Sequence, residues 1–332
     1  MSRIAHCLFN IALTSALLGT ATIGGTQTLP DQAGMTAANE RLRVNEARAR
    51  TLPYTKGDGE FPAVMEQAAS LPDHVIYRPA DLSRLSARKL PILVWGNGGC
   101  QADGAGRRLH LAEIASHGYL IIANGTIESG PGVPPPPKPA PSAPGTLPAS
   151  GTHTAQLTQA INWAIAQDGS ASSPLRGKLD PRAIGVSGWS CGGVQALTVA
   201  TSDPRIKAVV IHDSGLFTGR APGPEMDLPK TALARLHTPI LYVLGGPTDI
   251  AYANDMDDYA RIDHVPAVVV NLRDAGHGGT FFERNGGKAA QIAIAWLDWQ
   301  LKGDARAKRM FVGATCGLCT DAVVTLQSKR LN

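Results

Sequence analysis

The sequence predicts an α/β protein: a mostly parallel central sheet with helices on both faces. Three observations carry that expectation. First, a continuous apolar run at 90–95 and largely apolar runs at 205–212, 238–244 and 265–272 alternate with segments of helical periodicity. Strands that are apolar at every position are buried on both faces, as in parallel sheets sandwiched between helices. Second, each run ends in small or polar residues: Asn97-Gly98-Gly99, Asp213, Asp249 and His277. In open parallel sheets ligands gather at the carboxyl ends of strands. Third, residues 179–193 read as a strand, a tight glycine-flanked turn at Gly188-Trp189-Ser190-Cys191-Gly192, and a helix over 194–201. That order is the layout of a nucleophile elbow.

Composition bounds the rest. The chain has 332 residues, 43% hydrophobic and 17% charged, enough for one large domain or two small ones. Its net charge of +4 is spread along the chain without a basic run, so no nucleic-acid partner is expected. Arg3, an apolar run at 7–18 and small residues at 19–25 have the three-part layout of a secretory signal, with cleavage within 21–27. The apolar run is too short for a comfortable membrane span. The expected organisation is a signal peptide at 1–25, an N-terminal extension at 26–69, a catalytic domain at 70–303 and a C-terminal extension at 304–332. The mature chain is expected to be secreted or periplasmic, monomeric and without a stable membrane span.

In chain order, 26–60 reads as a loose polar tail, and the helix formers of 37–49 do not suffice to predict a helix there. Strands follow at 74–79 and 90–95, then a helix at 108–117 and a strand at 119–123. Residues 131–148 are proline-dense and must be extended surface chain, since proline neither donates to a ladder nor continues a helix. Residues 154–167 are amphipathic. After the elbow come the strand at 205–212, a Gly- and Pro-bearing stretch at 216–237 suited to cap a site, and strands at 238–244 and 265–272. A helix at 288–302 carries Ile292, Ile294, Ala295, Leu297 and Leu301 on its apolar face.

The strand ends imply chemistry. A serine hydroxyl is a weak nucleophile until a base takes its proton. Histidine suits that role near neutral pH, and a buried carboxylate orients it. The chain order serine, acid, histidine is met by Ser190, Asp249 and His277. Asp213 also follows a strand and is the alternative acid. His212 lies within a strand and reads as core, and Ser187 lacks the second glycine, since Trp189 stands there. A tetrahedral intermediate needs two N–H donors. The backbone of Cys191 is one, and the turn Asn97-Gly98-Gly99 supplies the other, with Gly98 and Gly99 favoured. Trp189 is expected to line the substrate cleft.

Outside the signal there are four cysteines, and four permit three pairings. Export favours disulfides. Cys100 and Cys191 sit on the two arms of the expected oxyanion hole and are expected to pair, leaving Cys316 with Cys319. A single C-x-x-C without a partner pair does not make a zinc site, so no metal is expected.

These residues resemble the α/β-hydrolase superfamily in its secreted serine esterase branches. Gly188-Trp-Ser-Cys-Gly-Gly193 is similar to the elbow of cutinase-like polyester hydrolases, and the general layout to dienelactone-hydrolase-type proteins. The helix around Trp296-Leu-Asp-Trp-Gln-Leu-Lys302 resembles their closing helix. The resemblance covers about residues 70–303. It implies the α/β-hydrolase fold, Ser190 as nucleophile, His277 as base, Asp249 as acid and no cofactor. Three departures limit it. Lipase-like members carry His-Gly-Gly where this chain has Asn97-Gly98-Gly99. Cutinase-like polyester hydrolases have a different oxyanion loop, so the resemblance does not imply polyester activity. Dienelactone hydrolases use a cysteine where Ser190 stands. The expected activity is cleavage of a small-molecule or polymeric carboxylic ester. Peptidase, amidase or acyltransferase chemistry on the same three residues is the alternative, and a non-catalytic binding protein of the same fold is the remaining one.

Overall fold

The computed structural model describes residues 32–134 and 150–331. The expected signal peptide and most of the 131–148 proline segment lie outside the described residues. Nine strands form one sheet in the order β1-β2-β4-β3-β5-β6-β7-β8-β9. They are β1 (Ala63–Ala68), β2 (Leu71–Pro79), β3 (Leu90–Gly96), β4 (Leu120–Asn124), β5 (Leu179–Trp189), β6 (Ile206–His212), β7 (Ile240–Leu244), β8 (Ala267–Leu272) and β9 (Val324–Lys329). From β4 through β8 every neighbouring pair is parallel. β1, β2 and β9 add antiparallel margins.

Each central strand feeds two cores. Ile92 and Val94 of β3 pack on one face with α3 (Thr154–Gly169) and α4 (Cys191–Ala200). Leu93 and Trp95 pack on the other with α2 (Arg108–Ser116) and α6 (Gly287–Lys302). This alternation is why β3 is apolar throughout and the strands beside it are largely so. Each fully buried Leu, Ile or Val stabilises the fold by about 1.5–3 kcal/mol before the entropy cost of ordering it.

The sheet reaches beyond the expected domain boundaries of 70 and 303. β1 pairs with β2 from Ala63↔Pro79 to Ala68↔Leu71, and β9 runs along β8 from Ala267↔Lys329 to Leu272↔Val324. Both are edge strands with partly exposed side chains, so their sequences lack the apolar continuity that marks a central strand. The expected loose tail contains an 18-residue helix, α1 (Gln32–Ala49). Its buried residues include Ala38 and Ala49, too few and too small for an apolar stripe to register in sequence. One helix of the α/β core, α5 (Tyr252–Arg261), was not among the expected elements. Its inner face sets Tyr252, Met256 and Tyr259 against the core and also buries Asp255 and Asp258, both 0% exposed. Asp258 is compensated by Lys230, whose Nζ lies 2.7 Å away.

Candidate active site

β5 ends at Trp189 and α4 begins at Cys191, leaving Ser190 alone in the corner. Its backbone is at φ 54°, ψ −123°, outside the regions that L residues favour. Such a conformation costs on the order of 1–3 kcal/mol and persists only where neighbours over-determine it. Three contacts do so. Ser190 N–H donates to His212 O at 3.1 Å, Gly193 N–H donates to Ser190 O at 2.8 Å, and Ser214 Oγ donates to Ser190 O at 2.6 Å. The glycines have a steric cause. A Cβ on Gly188 would strike the backbone of Gly192, and one on Gly192 would strike the backbone of Gly96. The elbow is therefore as close to β3 as polypeptide allows.

The turns after β7 and β8 bring the other two residues to Ser190. Ser190 Oγ is 2.9 Å from His277 Nε2, and His277 Nδ1 is 2.6 Å from Asp249 Oδ1. Asp249 Oδ1 also accepts from Ala251 N–H at 2.9 Å, which fixes the carboxyl plane. His277 and Asp249 are 6% and 1% exposed. The two turns are tied directly, since Gly276 N–H donates to Gly245 O at 2.8 Å, with Gly276 at φ 69°. A hydroxyl, an imidazole and a carboxyl are thus in hydrogen-bond contact, an arrangement that acyl transfer can use.

The alternative acid, Asp213, makes no hydrogen bond with His277 in the structure. It is 2% exposed, and burial first, then the neighbouring Asp249, push its carboxyl well above the usual carboxylate range. His212 beside it is held down to about 3 by burial. It packs edge-on to His110, with ring centroids 5.0 Å apart, and belongs to the core.

Cys191 opens α4, so its N–H has no acceptor within the helix and lies at the positive end of the helix dipole. The facing turn after β3 is a single 3₁₀ turn, Gly98–Cys100, with Gly99 at φ 61°. Cys100 N–H is spent on Asn97 O at 3.2 Å. The Asn97 side chain is spent as well, accepting from Trp95 Nε1 at 3.0 Å and donating to Gln101 O at 3.0 Å and Asn124 O at 2.6 Å. The Asn97 side chain thus holds the turn, and the main-chain N–H groups of Asn97, Gly98 and Gly99 remain the candidates for the second donor. The two arms are joined by a Cys100–Cys191 disulfide with Cα atoms 5.3 Å apart, and Cys316 pairs with Cys319.

Trp189 does not line the cleft, contrary to expectation. It is 6% exposed, its indole lies under the Arg107 guanidinium at 3.9 Å, and its Nε1–H donates to His277 O at 2.7 Å. It turns inward because successive side chains of a strand alternate faces, and Trp189 ends β5 on the α2/α6 side. A cleft of about 110 Å³ beside Ser190 and His277 is lined instead by Val194, Phe217, Met226, Ile250 and Ala251 among others. Phe217 and Met226 belong to the 216–237 stretch expected to cap the site. Ile250, Asn254 and Arg107 had no sequence signal, because nothing local to them indicates proximity to Ser190.

Among the described residues, Asp58, Glu113 and His117 bring three possible ligand atoms within 4.8 Å of one another. Glu113 is already engaged, accepting from Asp58 N–H at 3.0 Å and lying 3.1 Å from His117 Nε2. No role in the site follows for this trio. No helix among the described residues is long and apolar enough to cross a membrane.

Residues 145–323, more than half of the chain, match the model of a family described as PETase: PET hydrolase-like. The match spans Ser190, Asp249 and His277. No curated protein matches the chain.

Proposed function

The chain belongs to the PET hydrolase-like family, an α/β-hydrolase family of polyester hydrolases, and from that premise we propose that it is an exported serine esterase working through Ser190, His277 and Asp249. The observation that carries the reading is the unbroken contact chain from Ser190 Oγ through His277 to Asp249, at 2.9 and 2.6 Å. His277 Nε2 takes the hydroxyl proton as Ser190 Oγ attacks the ester carbonyl. The oxyanion is stabilised by the Cys191 N–H and by Gly98 or Gly99 across the cleft. Collapse expels the alcohol, which receives the proton from His277, and leaves an acyl-enzyme on Ser190. Water deprotonated by His277 attacks the acyl carbonyl, and collapse of the second tetrahedral intermediate releases the acid while His277 returns its proton to Ser190 Oγ. Asp249 holds the imidazole in the tautomer that accepts at Nε2 and stabilises the imidazolium formed in each half-reaction.

Substrate class follows from the cleft. Val194, Phe217, Met226 and Ile250 offer an apolar wall, which suits the acyl or aromatic side of a hydrophobic ester. Export is supported by the signal-like pattern of residues 1–25 and by two disulfides, which persist in oxidising compartments. The test is Ser190→Ala, expected to lower kcat on a soluble p-nitrophenyl ester by about 10⁶ and to abolish labelling by a fluorophosphonate probe. Retention of most ester hydrolysis in that variant overturns the assignment.

A further inference from the structure

We propose that helix α1 holds the catalytic histidine in position through a relay of three side chains, Glu46, Arg107 and Trp189. The proposal rests on the reading of His277 as the base. Its first link is the 2.7 Å bond from Trp189 Nε1–H to His277 O. That bond pins the peptide of the base itself. Gly276 and Gly278 on either side leave the segment few side-chain anchors of its own. The second link is the Arg107 guanidinium, 3.9 Å from the Trp189 ring centroid and 4.7 Å from that of Phe282. A cation stacked on an indole presses the ring into one orientation, and so aims its N–H.

The third link explains why α1 is needed. The Arg107 side chain is only 9% exposed, and a buried guanidinium requires an anion. Arg107 Nη2 donates to Glu46 Oε1 at 3.0 Å. Asp103 adds attraction at longer range. Glu46 belongs to α1, and α1 also touches the histidine turn directly. Ala38 lies against Gly276, and Leu42 lies against Gly278 and Phe282. One helix thus supports the base twice, by contact with its turn and by neutralising the cation that orients Trp189. Both Glu46 and Arg107 lie outside the segment 145–323 that matches the family.

A displacement of about 1 Å at a reacting group costs on the order of 10²-fold in rate, so a relay acting on the peptide of His277 is read in kcat. Glu46, Arg107 and Trp189 are positioning residues, and none touches the ester carbon. The experiment uses the full chain with Trp189→Phe, Glu46→Gln and the double variant, assayed on a soluble p-nitrophenyl ester. Trp189→Phe keeps the ring and removes the N–H; a drop in kcat of about tenfold is expected. Glu46→Gln removes the counter-charge on a partly exposed side chain and leaves the core intact; a drop of about threefold is expected. KM should stay within about twofold in both, since the cleft wall is untouched. The double variant should lose less than the product of the single losses, because both act through one chain of contacts. Arg107→Lys should fail to restore the parent rate, as an ammonium does not stack as a planar fork does.

Parent kcat in Glu46→Gln and Trp189→Phe, even with a lowered melting temperature, overturns the relay, and so do losses that multiply. The two readings separate cleanly. If Ser190→Ala or His277→Ala retains activity, the catalytic assignment fails. If those collapse while Glu46→Gln and Trp189→Phe do not, the relay alone fails.

Discussion

The turns after β6 and β7 look alike and behave differently. Each follows a strand whose carboxyl half is fully buried, and each presents an aspartate at most 2% exposed beside the same site. Asp249, after β7, finds two N–H donors on one oxygen, from His277 and Ala251. Asp213, after β6, finds Asp249 as its neighbour, and burial together with that like charge drives its carboxyl upward. Asp255 of α5 is driven the same way, by burial first and Asp249 second. Depth of burial does not distinguish the carboxyl that meets His277 from the one that does not. The hydrogen-bond donors around it do.

The comparison is sharpened by substitutions at both turns. Asp249→Asn should cost the most, about 10⁴ in kcat, because the amide permits the wrong imidazole tautomer while leaving the geometry intact. Steady-state kinetics at neutral pH check it. The second test concerns His212, whose folded value of about 3 lies far below the ordinary 6.5. Between those values the unfolded chain binds the extra proton. Stability is therefore full above about 6.5 and falls as pH drops toward 3, by about 1.4 kcal/mol per pH unit. His212→Phe should remove that one-proton slope from melting curves collected across this window. Asp258, raised to about 6 by burial, has the opposite sign and loses its contribution as pH rises from 3.8 to about 6. It is common to parent and variant, so it cancels in the difference. An unchanged slope would show that His212 does not titrate as its burial dictates. The smallest effect is expected for Asp213→Asn, within about threefold of the parent kcat, since an amide resembles the protonated acid. A loss matching that of Asp249→Asn would erase the contrast and reopen the choice of acid.

How much of this was legible in the chain differs by element. β3, β6, β7 and β8 announce themselves through largely apolar runs, and the elbow through glycines that local crowding demands. The cysteine pairing Cys100–Cys191 followed from placing both residues at strand ends of one inferred sheet. α5 was harder to read because its apolar stripe of Tyr252, Met256 and Tyr259 is interrupted by the buried Asp255 and Asp258, with Lys230 arriving from a separate segment to compensate Asp258. β1 and β9 were silent because edge strands need no apolar continuity. Trp189 was misread because its neighbours in sequence suggest the cleft, whereas Arg107 and the carbonyl of His277 draw it inward.

The sequence by itself determined the succession of the central strands, the corner at Ser190, and the succession of serine, aspartate and histidine at strand ends. Those features depend on periodicity and on steric limits that operate within a few residues. Only the tertiary structure decided which aspartate meets His277, which way Trp189 faces, and that a helix from the N-terminal extension lies against the histidine turn. Burial, charge and hydrogen-bond partners come from residues far away in the chain: Asp249 lies 28 positions from His277, and Trp189 lies 88 from the carbonyl it holds. No local pattern encodes a contact of that range.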